Sequence, residues 1–453
     1  MSILEPIDVD PAALLALHAA SPHLYPALFE SAAAGEPLGR SSASVRSSRF
    51  DILFAHPAGQ LVASAASERF LPALDRWWQR ERVPPSSDEA CSVPFTGGWL
   101  VYLGYELAGQ IEPRLRLPQP VAGPIAQAIR IPAAVIHAHD SGRCWIVAEP
   151  DAAELIPRIA SDLRRVARLS DAAEGLVESS VAEDDPREYL QAVERALEYI
   201  GAGDVYQANL SRGWRTTLRT GVQPHQIYRR LRQTNPGPFS GVAQLDGISV
   251  ISSSPERLVS VRDGAVTTRP IAGTRPRSAD PEADLALARE LHAHPKERAE
   301  HIMLIDLERN DLGRVCEAGT VSVDEFMTIE SYSHVHHIVS NVRGRLRADV
   351  TPGNVLAAVF PGGTITGCPK IRCMEIIAEL EGAPRGAYTG SLGYLNRDGS
   401  LDMNILIRSL QLHGRELSLR AGAGIVADSI AERELEETRA KARGVLRALG
   451  VSA

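Results

Sequence analysis

AGAGIVADSIAERELEETRAKARGVLRALG occupies residues 421–450. Ser429 and Glu432 have the S-x-x-E spacing of a capping box, which predicts a helix beginning at Ile430. Leu435, Thr438, Ala442, Val445, Leu446 and Leu449 then line one side, and Gly450 is a natural stop. Glu434, Glu437 and Lys441 recur at i, i+3 and i+7, so they project from a second, shared face. The Ala421–Gly424 run just upstream is small enough to let a ligand touch the backbone, at Gly422 and Gly424 above all. Alone, this is the pattern of a strand feeding a capped, solvated helix.

A second acidic helix changes that reading. Pro295 suits the first position of a helix in which Glu297 and Glu300, at i and i+3, share a face. Four converging carboxylates would repel one another unless a cation lay among them. Hard Mg²⁺ takes oxygen ligands and commonly uses one or two carboxylates plus an anionic substrate. The spacing is equally compatible with two solvent-facing helices.

Composition sets the outer bounds. The chain has 453 residues, 44% of them hydrophobic and 23% charged, enough for a large core in about two domains or one composite body. A net charge of −8 without long one-sign runs argues against nucleic acid and anionic membrane surfaces as partners. The five cysteines (Cys91, Cys144, Cys316, Cys368, Cys373) lack metal-ligand spacing, and their odd number suggests reduced thiols in a cytoplasmic protein. No signal segment and no membrane-length apolar run is evident.

Residues 1–180 read as mixed α/β, with strands predicted at Ser48–Ala55 and Gly97–Tyr105 and an amphipathic helix over 150–168. Ala172–Asp185 is the candidate linker, and 185–450 the second region. There Asp185 caps a helix with Pro186 at N1, and Leu190, Val193, Leu197 and Ile200 form its apolar stripe. Strands are predicted from Asp204, at 239–245, 248–253 and 257–261, and at 335–339. Residues 267–277 read as a loop carrying three arginines, and 360–370 as a glycine loop entering a helix with Pro369 at N1. Runs at 386–395 and 401–410 suggest a hairpin turning at Asn396–Gly399, which puts Tyr388 and Arg408 on partner strands. An arginine so placed offers a carboxylate a fork of N–H donors, or simply packs across the ladder. Glu256, in a serine-rich loop, becomes a general acid if burial raises its pKa and is otherwise a surface glutamate. His336 and His337 must face opposite sides of their strand, so one at most enters a site; with His334 they lack metal spacing.

These stretches together resemble the chorismate-utilising enzymes: anthranilate and aminodeoxychorismate synthase component I, and the isochorismate and salicylate synthases. The resemblance is carried by DVYQANL (204–210), SSPERL (253–258), TRPIAGTRPR (268–277), ERAEHIMLIDLERNDLGRV (297–315), HHIVS (336–340), FPGGTITGCPKIRCMEII (360–377), YTGSLGYL (388–395), DMNILIRSL (402–410), AGAGIVADS (421–429) and LEETRAKA (435–442), in family order. The first 180 residues match mainly through SRFDI (48–52) and the PF-x-GG run at 94–98.

The resemblance implies an α/β (α+β) fold in which two large antiparallel sheets pack face to face with helices outside and the ligand site between them. It implies Mg²⁺ held by Glu300 and Glu437, supported by Glu297 and Glu434. The ring carboxylate of chorismate would lie at the metal and the N–H groups near Gly422 and Gly424, with Lys441 and Thr364 close by. Arg408 and Tyr388 would hold the enolpyruvyl carboxylate. Glu256 would protonate the departing C4 hydroxyl, with His337 beside it.

Water-using members carry a lysine base where this chain has Gln207, whose amide has no basic nitrogen. The resemblance therefore points to the ammonia-using branch, with ammonia supplied by a separate glutamine amidotransferase subunit. SRFDI, YQ-x-N (206–209), SPER (254–257) and N-I-x-I-R (404–408) favour aminodeoxychorismate synthase component I, of 4-aminobenzoate and folate biosynthesis. The alternative is anthranilate synthase component I, of tryptophan biosynthesis. Ala272 stands where many aminodeoxychorismate synthases have a nucleophilic lysine, and a methyl group cannot attack C2.

Overall fold

The computed structural model describes residues 2–33, 36–37, 49–64, 68–85, 93–169, 175–332 and 335–451. Ser48, Cys91, His334 and part of the candidate linker lie outside them.

Alternating patterns set the layers. In Gly98–Leu103, Trp99, Val101 and Leu103 pack into one core while Leu100 and Tyr102 enter another. Among the described residues there are two antiparallel sheets, one of 12 and one of 11 strands. Ile52, Phe54, Ile136 and Val250 of the first sheet meet Leu100, Tyr102, Ile129 and Leu392 of the second in a shared central core. Helices Ala12–Ala20, Leu155–Arg165, Pro224–Thr234 and Ala431–Ala448 cover the outer face of the first sheet. Phe70–Glu81, Pro295–Gly313 and Pro352–Val359 cover that of the second. This is the expected two-sheet fold. Strands from before residue 180 pair with later ones in both sheets: Ala27–Glu30 with Phe239–Gln244, and Gly98–Leu103 with Ser391–Asn396.

Several local expectations need correction. The C-terminal helix runs Ala431–Ala448, with Ile430 in the N-cap position. Ser429 is one residue too early to cap it; its Oγ accepts the Val426 N–H at 3.1 Å and closes the preceding turn instead. The buried side is the predicted one, from Leu435 to Leu449, and the Thr438 hydroxyl is satisfied by the Leu435 carbonyl at 2.7 Å. In Pro186–Gly201, Asp185 caps as expected, but Tyr189, Val193 and Ala196 are the buried residues, with Leu190, Leu197 and Ile200 flanking them. Pro369 is the N-cap of Lys370–Glu381, not N1.

Two corrections bear on the site. The arginine-bearing segment is a strand over Ile271–Pro276, paired with Val335–Arg345, with a register shift at Gly273. Its Pro and Gly residues hid the alternation; Gly273, at φ 65°, supplies the bulge that a side chain would resist. The predicted strand 401–410 is split. Leu401–Asn404 completes the hairpin with Ser391–Asn396 in the second sheet, and Ser409–His413 belongs to the first. Arg408 therefore lies in the crossing between sheets, at φ 52°, and Tyr388 in the turn before Ser391–Asn396, so the two are not strand partners.

Candidate active site

The crossing at 405–408, the Gly363–Ile365 turn, the bulged strand Ile271–Pro276 and the strands Gln207–Thr217 and Glu416–Ile425 carry most of the predicted site residues. Glu256 follows Ser249–Ser254 and is 5% exposed. Burial pushes its carboxyl up to about 7, although Thr364, Lys441 and Arg408 pull it down. Thr364 Oγ1 donates to Glu256 Oε1 at 2.8 Å. Arg408 is itself held below its ordinary value by burial. Among the described residues no hydrogen bond or ion pair occupies its guanidinium.

His337 faces this group and His336 faces away, towards Asp284 at 3.0 Å. His337 Nδ1 lies 3.2 Å from the Gly273 carbonyl and 3.0 Å from Thr274 Oγ1. The carbonyl can only accept, so the proton is assigned to Nδ1 and Nε2 carries the lone pair. Burial, reinforced by Arg408, pushes His337 down to about 4, so the ring is neutral at pH 7. Ala272 pairs with Ile338, the residue after His337.

The opposite wall is backbone. A Cβ at Gly422 would lie 2.6 Å from the Leu210 carbonyl oxygen and 2.8 Å from both Asn209 Oδ1 and Tyr388 Oη. One at Gly424 would lie 2.4 Å from the Gln207 side chain. The glycines are thus what lets Gln207 and Tyr388 approach the strand. Gln207 Oε1 and Asn209 Oδ1, on residues each 8% exposed, are buried acceptors that meet no donor among the described residues. Burial pushes the Tyr388 phenol up to about 12.

The acidic helices meet at the rim. Burial first, then Glu297, drives Glu300 up to about 7, with Asp428 and Glu437 adding to the repulsion. Glu434 is raised by burial and by Glu437. Cations interleave: Lys441 Nζ is 2.7 Å from Glu437 and 3.0 Å from the Gly422 carbonyl, Arg275 is 3.3 Å from Glu297, and Lys296 is 3.0 Å from Asp428. The group offers only oxygen donors and an excess of negative charge, which fits a hard divalent cation. No three of these carboxylates approach within 4.8 Å of one another.

Sequence reading missed three features. Arg385, 4% exposed, ties the wall together through the Asn209 and Ile365 carbonyls and Glu381, and stacks on Tyr105 and Tyr388 at 4.8 and 5.5 Å. Glu308 is held above the usual carboxylate range by burial and by Asp311, which is itself paired with Lys370. Neither lies in a pattern that sets it apart. The third, Asp51, His137 and His139, brings potential ligand atoms within 4.8 Å on the far side of the first sheet. The H-x-H alternation at 137–139 was its available signal.

A family model described as chorismate binding enzyme matches residues 38–447, and the chain belongs to that family of chorismate-acting enzymes. An anthranilate synthase component I-like protein of Synechocystis is 43% identical over 361 residues, covering 79% of this chain and 73% of that one. Aminodeoxychorismate synthase component 1 of Bacillus subtilis is 50% identical over 264 residues, 58% of this chain and 56% of its own. The crystal structure of anthranilate synthase component I from Streptococcus pneumoniae superposes with a TM-score of 0.77 at 31% identity, over 90% of this chain and 95% of that one. Among the described residues no helix is long and apolar enough to cross a membrane.

Proposed function

We propose that this chain aminates chorismate with ammonia. The observation that carries the reading is the pair of buried acceptors, Gln207 Oε1 and Asn209 Oδ1, where a water-activating enzyme needs a base. Ammonia brings N–H donors to both and needs no deprotonation to attack. It adds at C2, the ring double bonds shift, and the C4 hydroxyl leaves as water with the proton of Glu256. His337 Nε2 accepts a hydrogen bond from that hydroxyl and orients it. Arg408 and Tyr388 receive the enolpyruvyl carboxylate. The N–H groups near Gly422 and Gly424, with Thr364 and Lys441, receive the ring carboxylate. Mg²⁺ is the cation proposed for Glu300 and Glu437, with Glu297 and Glu434 supporting; when bound it would neutralise and polarise the ring carboxylate. A separate glutamine amidotransferase subunit is the proposed ammonia source.

Anthranilate, formed with pyruvate after the C2 proton and the enolpyruvyl group are lost, is the product that most relatives' names support. Ala272 agrees with it, because no lysine is present there to attack C2. A second reading, 4-amino-4-deoxychorismate, is favoured by SRFDI, YQ-x-N and N-I-x-I-R and by the Bacillus subtilis relative. It requires ammonia to act at both C2 and C4. Chromatography after incubation with chorismate, ammonia and Mg²⁺ separates the two. Anthranilate supports the first reading; 4-aminobenzoate appearing only when aminodeoxychorismate lyase is added supports the second; isochorismate or salicylate overturns both.

A further inference from the structure

One cluster of ligating side chains has no part in that reaction. Asp51 shares the face of Phe50–Ala55 that carries Leu53 and Ala55 into the helix-covered core of the first sheet, opposite the cleft. His137 is its cross-strand partner, and His139 follows two residues on. His137 Nδ1 lies 2.8 Å from Asp51 Oδ2, and His139 Nε2 lies 2.7 Å from Asp51 Oδ1. The two rings are 4.9 Å apart.

Asp51 is 5% exposed, and among the described residues no lysine or arginine pairs with it. The nearby cation, Arg232, is committed to Glu30 at 2.8 Å, where Tyr228 also donates. A carboxylate withdrawn from water requires compensating positive charge. Its side-chain partners are two imidazoles, each turning a ring nitrogen to one of its oxygens.

We propose that Asp51, His137 and His139 bind one divalent transition-metal ion of the zinc class. Two imidazole nitrogens and one carboxylate oxygen suit a borderline ion such as Zn²⁺ or Co²⁺; Mg²⁺ prefers oxygen alone. Metal–ligand bonds of about 2.0–2.2 Å need only a slight spreading of these side chains. His139, 24% exposed at its side chain, stands on the solvent side, where water completes the coordination. Cys144, the cross-strand partner of His137, turns its thiol to the Val9 carbonyl at 3.9 Å and stays outside the ligand set. The ion ties Phe50–Ala55 to the end of Ala133–Ala138, so its role is structural and independent of the Mg²⁺ assignment.

The test uses the full chain, stripped with a chelator and then equilibrated with Zn²⁺ in millimolar Mg²⁺. Elemental analysis is expected to find about one zinc per chain, with a higher Tm than the stripped protein. Co²⁺ is expected to give visible d–d bands. Both signals should vanish in His139→Ala and Asp51→Asn and persist in Glu437→Gln. His139→Gln replaces the alanine variant if circular dichroism shows that variant unfolded. Chorismate turnover by the His139 variant should match the parent. A parent that retains no zinc, variants that retain it undiminished, or loss confined to Glu437→Gln overturns the proposal.

Discussion

Thr364 Oγ1 donates a 2.8 Å hydrogen bond to Glu256 Oε1, a neutral donor on a carboxyl that burial pushes up to about 7. The bond favours the ionised form, so it opposes the burial. Glu256 is protonated below about pH 7 and loses its proton as pH rises through that value. If it is the general acid, kcat falls along an alkaline limb near pH 7. Thr364→Val removes the donor and is expected to move that limb to higher pH, by up to about one unit. A kcat–pH profile that keeps its limb in place counts against the assignment.

Glu256→Gln keeps the volume and removes the proton. We expect kcat to drop about 10²- to 10⁴-fold, with KM for chorismate changed only a few-fold. Steady-state kinetics below pH 7 checks this. An equal rise in KM with kcat intact would assign Glu256 to binding.

Glu300 is driven up to about 7 by burial and by its acidic neighbours, a charge excess that a divalent cation would relieve. Glu300→Gln and Glu437→Gln are each expected to abolish Mg²⁺-dependent turnover while the chain stays folded. Chorismate consumption near the parent rate in either variant would falsify the metal assignment.

Ala272 lies on the bulged strand two residues before Thr274, whose Oγ1 meets His337 Nδ1 at 3.0 Å. Mass spectrometry of the parent with chorismate is expected to show no covalent adduct on residues 268–277. Ala272→Lys is expected to introduce one. Absence of an adduct in that variant would mean the strand does not face C2.

His18, His301 and His337 are each pushed down to about 4, chiefly by burial. The unfolded chain takes up these protons near pH 6.5, and the folded chain does not until about 4. Their contribution is complete above 6.5 and is lost as pH falls towards 4, at about 1.4 kcal/mol per pH unit for each. Denaturant midpoints measured at pH 7, 6 and 5 should fall steadily. His301 meets Ser340 Oγ at 2.7 Å, away from the cleft, so His301→Gln should flatten the trend without titrating the site.

Helix and strand identity was legible wherever one periodicity persisted. The buried side of Ala431–Ala448 is the one its sequence implies, because a single core face selects residues over five turns. Legibility failed where a strand changes sheets. Ile405–Ile407 is apolar and reads as continuous strand through Arg408, but its hydrogen bonds go to the junction of the sheets: Ile405 N–H to the Glu256 carbonyl at 3.0 Å, and the Arg408 carbonyl from Ser253 N–H at 3.2 Å. Asp51 and His137 were equally hidden, since their meeting depends on register between strands more than 80 residues apart.

The sequence by itself determined the alternating strands, the amphipathic helices, the E-x-x-E pairs and the family motifs, because each rests on neighbours within a few turns or residues. Only the tertiary structure decided that Gln207 lies against Gly424, that Thr364 reaches Glu256, that Arg408 turns between sheets, and that Asp51 receives two histidines. Those relations come from how the two sheets register and stack. The free energy of burying both faces fixes that arrangement, and no local pattern records it.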